Sequence, residues 1–217
     1  MQLVRERERI AAAACRLAGD GQVTGTAGNL SERAGELVAV TPTGAALESL
    51  EPGQVAVVDL DGEQVDGDLL PTSELGLHLG VYRRYDAGAV VHTHPPYGTA
   101  LSCVLDELPV VHYQMLALGG PVRVAPYATF GTDELAEATL DALKERSAAL
   151  MASHGAIAYG PDLDVAMSQA ALLEWACTLY WRAAAIGTPR ALDADERNAV
   201  VTAVIERGYG TTKTRTR

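Results

Sequence analysis

Lysine is almost missing from this chain. Of its 17 basic residues only two are lysines, Lys144 in the charged stretch Lys144-Glu145-Arg146 and Lys213 in a polar tail. A Schiff-base or pyridoxal enzyme needs a lysine amine in an apolar pocket, so lysine chemistry is excluded. No GxxxxGK[ST] phosphate loop occurs. There is no basic run, and a net charge of -11 with a pI of about 4.8 makes a poor partner for a phosphate backbone, which argues against nucleic acid. The three cysteines, Cys15, Cys103 and Cys177, are odd in number, lie in apolar contexts and lack CxxC spacing. They read as buried thiols in a reducing cytosol. The N-terminus is charged from Arg5 to Arg9, with no signal-like apolar core, so a cytoplasmic protein is expected. The longest apolar stretch, Val165 to Trp181, contains Ser168, Gln169 and Glu174. A span needs about 20 apolar residues without a mid-helix carboxylate, so this is a core or interface helix and not a membrane one.

What is present is a 48 % apolar chain of 217 residues, enough for one domain over residues 1–210 with a tail over 211–217. Leu3 to Ala18 is expected as a helix with Ile10, Ala14 and Leu17 on one face. Short apolar runs at Leu37–Val40 and Val55–Leu60 read as strands, and Asp61-Gly62 as a hairpin turn to a short return strand. A helix from Ser73 to Tyr85, with Ser73 as its cap, precedes a strand from Ala89 to His94. A short helix at Tyr97–Leu105 and apolar runs at Pro109–His112 and Val122–Ala125 come next. Thr132–Ser147 is an amphipathic helix, Ala148–Ala152 and Ala156–Tyr159 a strand pair, and Asp162–Ile186 and Asp193–Arg207 closing helices. Many short strands between terminal helices point to an α/β class, one mixed sheet covered by helices on both faces.

Of five histidines, His92 and His94 are the most informative. At i and i+2 on a strand both imidazoles leave the same face, at a strand end closed by Pro95-Pro96. That geometry suits two metal ligands, although an HxH pair alone is weak evidence. His154, in a tight Ser-His-Gly turn after an apolar run, is a candidate third ligand; three imidazoles with an open position form a catalytic site and not a closed structural one. His78 falls one turn after Glu74 on a helix face and reads as a core or supporting residue, and His112 as a strand-end residue. Glu74 itself reads first as a first-turn carboxylate stabilised by the helix dipole, and second as a general base beside a metal. Gly25 to Asn29, Thr41 to Gly44 and Thr72-Ser73 offer backbone N–H groups and hydroxyls without positive charge, the makings of a phosphate nest.

The ordered motifs GTAGNLS (25–31), TPTG (41–44), PTSE (71–74), HTHP (92–95), PYATFGT (126–132) and SHG (153–155) resemble the class II aldolase and ribulose-phosphate epimerase family, most closely its fuculose-phosphate branch. The resemblance runs from the first helix to about Tyr209. It implies a single-domain α/β/α sandwich around a mixed, largely antiparallel sheet, and a homotetramer with sites between subunits. It further implies zinc, or another divalent metal, on His92, His94 and His154, with Glu74 as acid/base. Gly28, Asn29, Thr43, Gly44, Thr72 and Ser73 match the family's substrate-phosphate site. Tyr113 matches a tyrosine supplied by the neighbouring subunit, and Phe130 and Tyr209 match the wall of the aldehyde end. The implied reaction is cleavage of a ketose 1-phosphate, such as L-fuculose 1-phosphate, to dihydroxyacetone phosphate and an aldehyde such as L-lactaldehyde. Thr72 stands where the family commonly has serine, and Ser153 where it has asparagine or histidine.

Other reactions fit the same scaffold: 5-deoxypentulose-phosphate cleavage, methylthioribulose-phosphate dehydration and pentulose-phosphate epimerisation. The epimerase branch typically has aspartate at position 74 and a further acidic donor near His112-Tyr113, so glutamate and the His-Tyr pair favour an aldolase. Outside enzymes, a non-catalytic binding module and a zinc store are the rival readings; retention of all three histidines and Glu74 argues against the first.

Overall fold

A computed structural model of the chain describes residues 1–207. Tyr209 and the tail over 211–217 lie outside the described residues. Nine strands form a sheet in the order β4-β3-β2-β1-β5-β9-β8-β7-β6. These are β1 (Asn29–Ala34), β2 (Leu37–Val40), β3 (Ala56–Asp59), β4 (Gln64–Asp66), β5 (Ala89–Thr93), β6 (Glu107–Leu108), β7 (Val122–Ala125), β8 (Ala148–Met151) and β9 (Gly155–Gly160). All neighbouring pairs are antiparallel except β7 with β8.

The helices are α1 (Val4–Gly19), α2 (Leu75–Arg84), α3 (Pro96–Ser102), α4 (Asp133–Ala142), α5 (Leu163–Ile186) and α6 (Ala194–Arg207). Two buried apolar clusters lie on opposite faces of the sheet. Ile10, Ala14 and Leu17 of α1 and Ala166, Ala170 and Leu173 of α5 pack with Ala89, Val91, Ala148 and Leu150. Leu77, Val81 and Tyr82 of α2 and Leu135 and Leu140 of α4 pack with Val90, Ala149, Met151 and Ile157. Successive strand residues therefore serve opposite layers, as a pleated strand requires, and the fold is the expected α/β/α sandwich.

Three differences from the sequence reading have physical causes. Strand β1 escapes an apolar-periodicity search because Leu30 is its one large aliphatic residue; Asn29, Ser31 and Glu32 are nevertheless buried. Helix α2 starts at Leu75 with Glu74 at its cap position, not Ser73. The Thr72 hydroxyl accepts the Glu74 N–H (3.2 Å) and the Thr72 carbonyl accepts the Leu75 N–H (3.1 Å), so the chain turns before the helix starts and Ser73 is left exposed. Pro109–His112 forms no strand, and His112 instead caps a 3₁₀ turn, Tyr113–Leu118, by accepting the Gln114 N–H on Nδ1. The thiols differ too: all three are free, but only Cys177 is buried, Cys15 facing solvent from α1 and Cys103 capping α3.

Among the described residues no helix is long and apolar enough to cross a membrane. Glu174, the carboxylate that interrupts the apolar run of α5, accepts the Tyr97 and Gly98 N–H groups (3.0 and 2.8 Å) at the start of α3. It thereby satisfies donors that a helix N-terminus leaves open.

Candidate active site

Strand β5 carries His92 on the Val90 side of the sheet and leads to His94 just past its end. The hairpin between β8 and β9 supplies His154. There Met151 pairs with Gly155, and Ser153 takes a left-handed φ of 53°, which a three-residue turn of this tightness imposes. Gly155 permits the close approach: a Cβ there would lie 2.3 Å from the Thr93 carbonyl oxygen and 3.0 Å from His94 Cδ2. The outcome is one ligand nitrogen from each of His92, His94 and His154, all within 4.8 Å of one another.

These imidazoles are prepared to give lone pairs. His92 Nδ1 donates to the Ala156 carbonyl (2.9 Å), which turns Nε2 toward His94 Nε2 (3.0 Å) and Glu74. Burial, then the charge of His92 and of His154, lowers the His94 pKa to about 4. Burial and the charge of His92 lower that of His154 as well. Neutral rings are what a divalent ion requires.

Glu74 faces the three histidines from the start of α2. Its Oε2 lies 3.2 Å from His92 Nε2 and its Oε1 3.4 Å from His154 Nε2. Burial opposes the ionised carboxylate, but hydrogen bonding and charge from His92, the amide of Asn29 and the charge of His154 prevail and hold it below the usual range. Oε1 is buried and has no hydrogen-bond partner among the described residues. A buried carboxylate oxygen without a hydrogen-bond partner, facing three convergent imidazoles, is a donor set that fits a divalent cation.

The three loops suspected of phosphate binding converge here. The Thr41 hydroxyl accepts the Leu30 N–H (3.1 Å), the Thr72 N–H donates to the Thr41 carbonyl (3.0 Å), and Pro42 bridges to Pro71. Gly28 and Gly44 hold φ of 86° and 69°, and a Cβ on Gly28 would meet Val23 Cγ1 at 2.6 Å. Thr43, Gly44 and Ser73 are exposed around the buried Thr72. The turn bearing the exposed Phe130 is adjacent, since a Cβ on Gly131 would sit 3.2 Å from the Ser73 carbonyl oxygen.

The Asn29 side chain has a role that the sequence does not reveal: its Nδ2 donates to Glu74 Oε2 (2.8 Å), and its Oδ1 meets His78 Nε2 (2.5 Å). Behind it, Ser31 Oγ contacts His78 Nδ1 (2.7 Å) and the Tyr82 hydroxyl (2.6 Å). The Glu74-to-His78 spacing was the available signal; Ser31 and Tyr82 were not recognisable without β1. Tyr113 is not grouped with the histidine cluster. Its ring lies tilted against that of His112 (centroids 4.5 Å apart) and lines an apolar groove of about 360 Å³ between the 3₁₀ turn, Leu172 of α5 and Val204 and Ile205 of α6.

A mixed sheet between helical layers, three convergent imidazoles and a buried carboxylate together define a metal-dependent aldolase of class II. The family model "Class II Aldolase and Adducin N-terminal domain" matches residues 8–181, and the chain belongs to that family. The 5-deoxy-D-ribulose 1-phosphate aldolase of Bacillus thuringiensis serovar kurstaki (strain ATCC 35866 / NRRL B-4488 / HD73) is 40% identical over 200 residues, covering 90% of this chain and 93% of the relative. The L-fuculose phosphate aldolase of Escherichia coli (strain K12) is 41% identical over 179 residues, covering 82% and 83%. A solved L-fuculose 1-phosphate aldolase superimposes with a TM-score of 0.88 at 33% identity, covering 93% of this chain and 96% of that one.

Proposed function

We infer that this enzyme is a zinc-dependent aldolase that cleaves a ketose 1-phosphate into dihydroxyacetone phosphate and a short aldehyde. The observation that carries this reading is the buried Glu74 Oε1, without a hydrogen-bond partner among the described residues, facing three convergent imidazoles. His92, His94 and His154 would hold the ion, which when bound acts as a Lewis acid and supplies the electron sink that a carbanion needs. The exposed hydroxyls of Thr43 and Ser73, the hydroxyl of Thr72, the backbone at Gly28 and Gly44 and the second Nδ2 hydrogen of Asn29 are assigned to the phosphate. Remote anchoring of that group orients the bond to be broken.

In cleavage the C3–C4 bond breaks, its electron pair stays on the C3 side, and the C4 hydroxyl becomes the aldehyde carbonyl. One proton moves, net, from the C4 oxygen to C3. Glu74 delivers it at C3, and the hydroxyl of Tyr113 from a neighbouring chain handles the proton at the C4 oxygen, with Phe130 and Tyr209 walling the aldehyde. This arrangement requires a homo-oligomer, and a homotetramer is proposed.

L-Fuculose 1-phosphate is the first substrate to test, supported by the E. coli relative and the solved structure. A second reading, 5-deoxy-D-ribulose 1-phosphate, is favoured by the longer stretch of chain aligned with the Bacillus relative. Metal-replete protein should be assayed on both, with dihydroxyacetone phosphate and the aldehyde identified. Lactaldehyde from the first or acetaldehyde from the second supports the reading. An unchanged-mass epimer, loss of water, or no turnover of either overturns it.

A further inference from the structure

The hydrogen bonds behind Glu74 admit only one direction. Asn29 Nδ2–H donates to Glu74 Oε2 (2.8 Å), and the amide is thereby oriented with Oδ1 toward His78 (2.5 Å). Oδ1 is an acceptor, so His78 Nε2 carries the hydrogen. His78 is fully buried and its pKa is lowered, by burial first and by His92 next, to about 3. The neutral ring then has a bare Nδ1, to which Ser31 Oγ–H donates, and Ser31 Oγ in turn accepts from the Tyr82 hydroxyl. All five groups are buried, and every donor in the chain from Tyr82 to Glu74 points toward the carboxylate.

We propose that His78 is a positioning residue for the reaction: through Asn29 it fixes Glu74 Oε2 as a permanent acceptor and leaves Oε1 as the oxygen that exchanges a proton with the substrate carbon. Without a donor at the His78 position, Asn29 can rotate its amide. Its carbonyl would then face Oε2, and the two carboxylate oxygens would no longer be held in unlike roles. The inference rests on the assignment of Glu74 as the acid/base, and the experiment separates the two.

The test compares His78→Gln, whose amide nitrogen can replace Nε2–H toward Asn29, with His78→Asn, which reaches Ser31 but not Asn29. Metal-replete variants are measured for kcat, KM, bound metal, and solvent-deuterium exchange into dihydroxyacetone phosphate. For His78→Asn, kcat and exchange should both fall about tenfold to a hundredfold, the usual range for losing a supporting partner, with KM and metal content unchanged. His78→Gln should restore most of the loss. Equal rates in the two variants, or a loss matched by lower metal content, would overturn the proposal. Should His78→Asn fail to fold, ¹⁵N spectra of histidine-labelled wild type decide. Protonated Nε2 with bare Nδ1 at His78, its signals assigned through His78→Gln, is expected, and the opposite tautomer refutes the donor direction. Glu74→Gln is the separate control: full exchange in that variant removes the acid/base assignment itself, whatever His78 does.

Discussion

Glu74 has two oxygens in unlike surroundings, Oε2 bonded to Asn29 and Oε1 without a hydrogen bond among the described residues, 3.4 Å from His154 Nε2. Glu74→Gln should leave the three histidines their metal while cleavage falls about 10²- to 10⁴-fold, the usual contribution of a positioned acid/base, as steady-state kinetics beside metal analysis would reveal. His92→Ala removes a proposed ligand whose tautomer the Ala156 carbonyl fixes, and bound metal should drop well below one per chain on the same analysis. Burial of His78 also has a pH consequence. The unfolded chain takes up a proton there below pH 6.5, and the folded chain only near its lowered pKa of about 3. Stability of the metal-free protein should therefore fall with decreasing pH across that window, by about 1.4 kcal/mol per pH unit from this group. Urea unfolding from pH 7 to 5 should show a slope shallower by one proton in His78→Gln. At this scale the sequence was legible where spacing carried geometry, as in His92-Thr93-His94. It was illegible where a residue type is ambiguous: Asn29 in a glycine-rich turn gives no hint that its amide is turned onto a carboxylate 45 positions later.

Among the elements, β1 is the instructive case. Apolar alternation marks strands whose buried face is greasy, and it located β2, β3, β5, β8 and β9 to within a residue or two. Strand β1 is central, between β2 and β5, yet its buried Asn29, Ser31 and Glu32 are polar because they pair with Glu74, His78, Tyr82 and Arg9. A functional strand thus looks like a loop to a hydrophobicity argument. Helix α3 presents the opposite situation, a seven-residue element anchored from outside by Glu174. Glu174→Ala leaves the Tyr97 and Gly98 N–H groups without that acceptor, and a loss of about 1–3 kcal/mol in chemical unfolding is expected, with metal content retained.

For the whole molecule, the shortage of lysine removed one aldol mechanism before any motif was considered, and the histidines account for the alternative. The net charge of -11 argues against nucleic acid but not against a phosphorylated substrate, since backbone N–H groups and hydroxyls can hold a phosphate without basic side chains. If Tyr113 serves a neighbouring chain's site, Glu74→Gln and Tyr113→Phe chains are each defective, but a hybrid oligomer contains sites with neither change. Mixing the two after mild dissociation and reassembly should recover activity, and the mixed sample should exceed either parent in the same assay. The pairing of β5 with β9 has a further consequence for biosynthesis. His94 and His154 are 60 positions apart (154 − 94), and β9 must be made before the third imidazole can be held against the other two. At about 5–20 residues per second, the ribosome leaves His92 and His94 without their partner for roughly 3 to 12 seconds. On the proposed metal site, an ion caught in that interval would meet two ligands, not three, and the hairpin, closing late, would turn loose capture into retention.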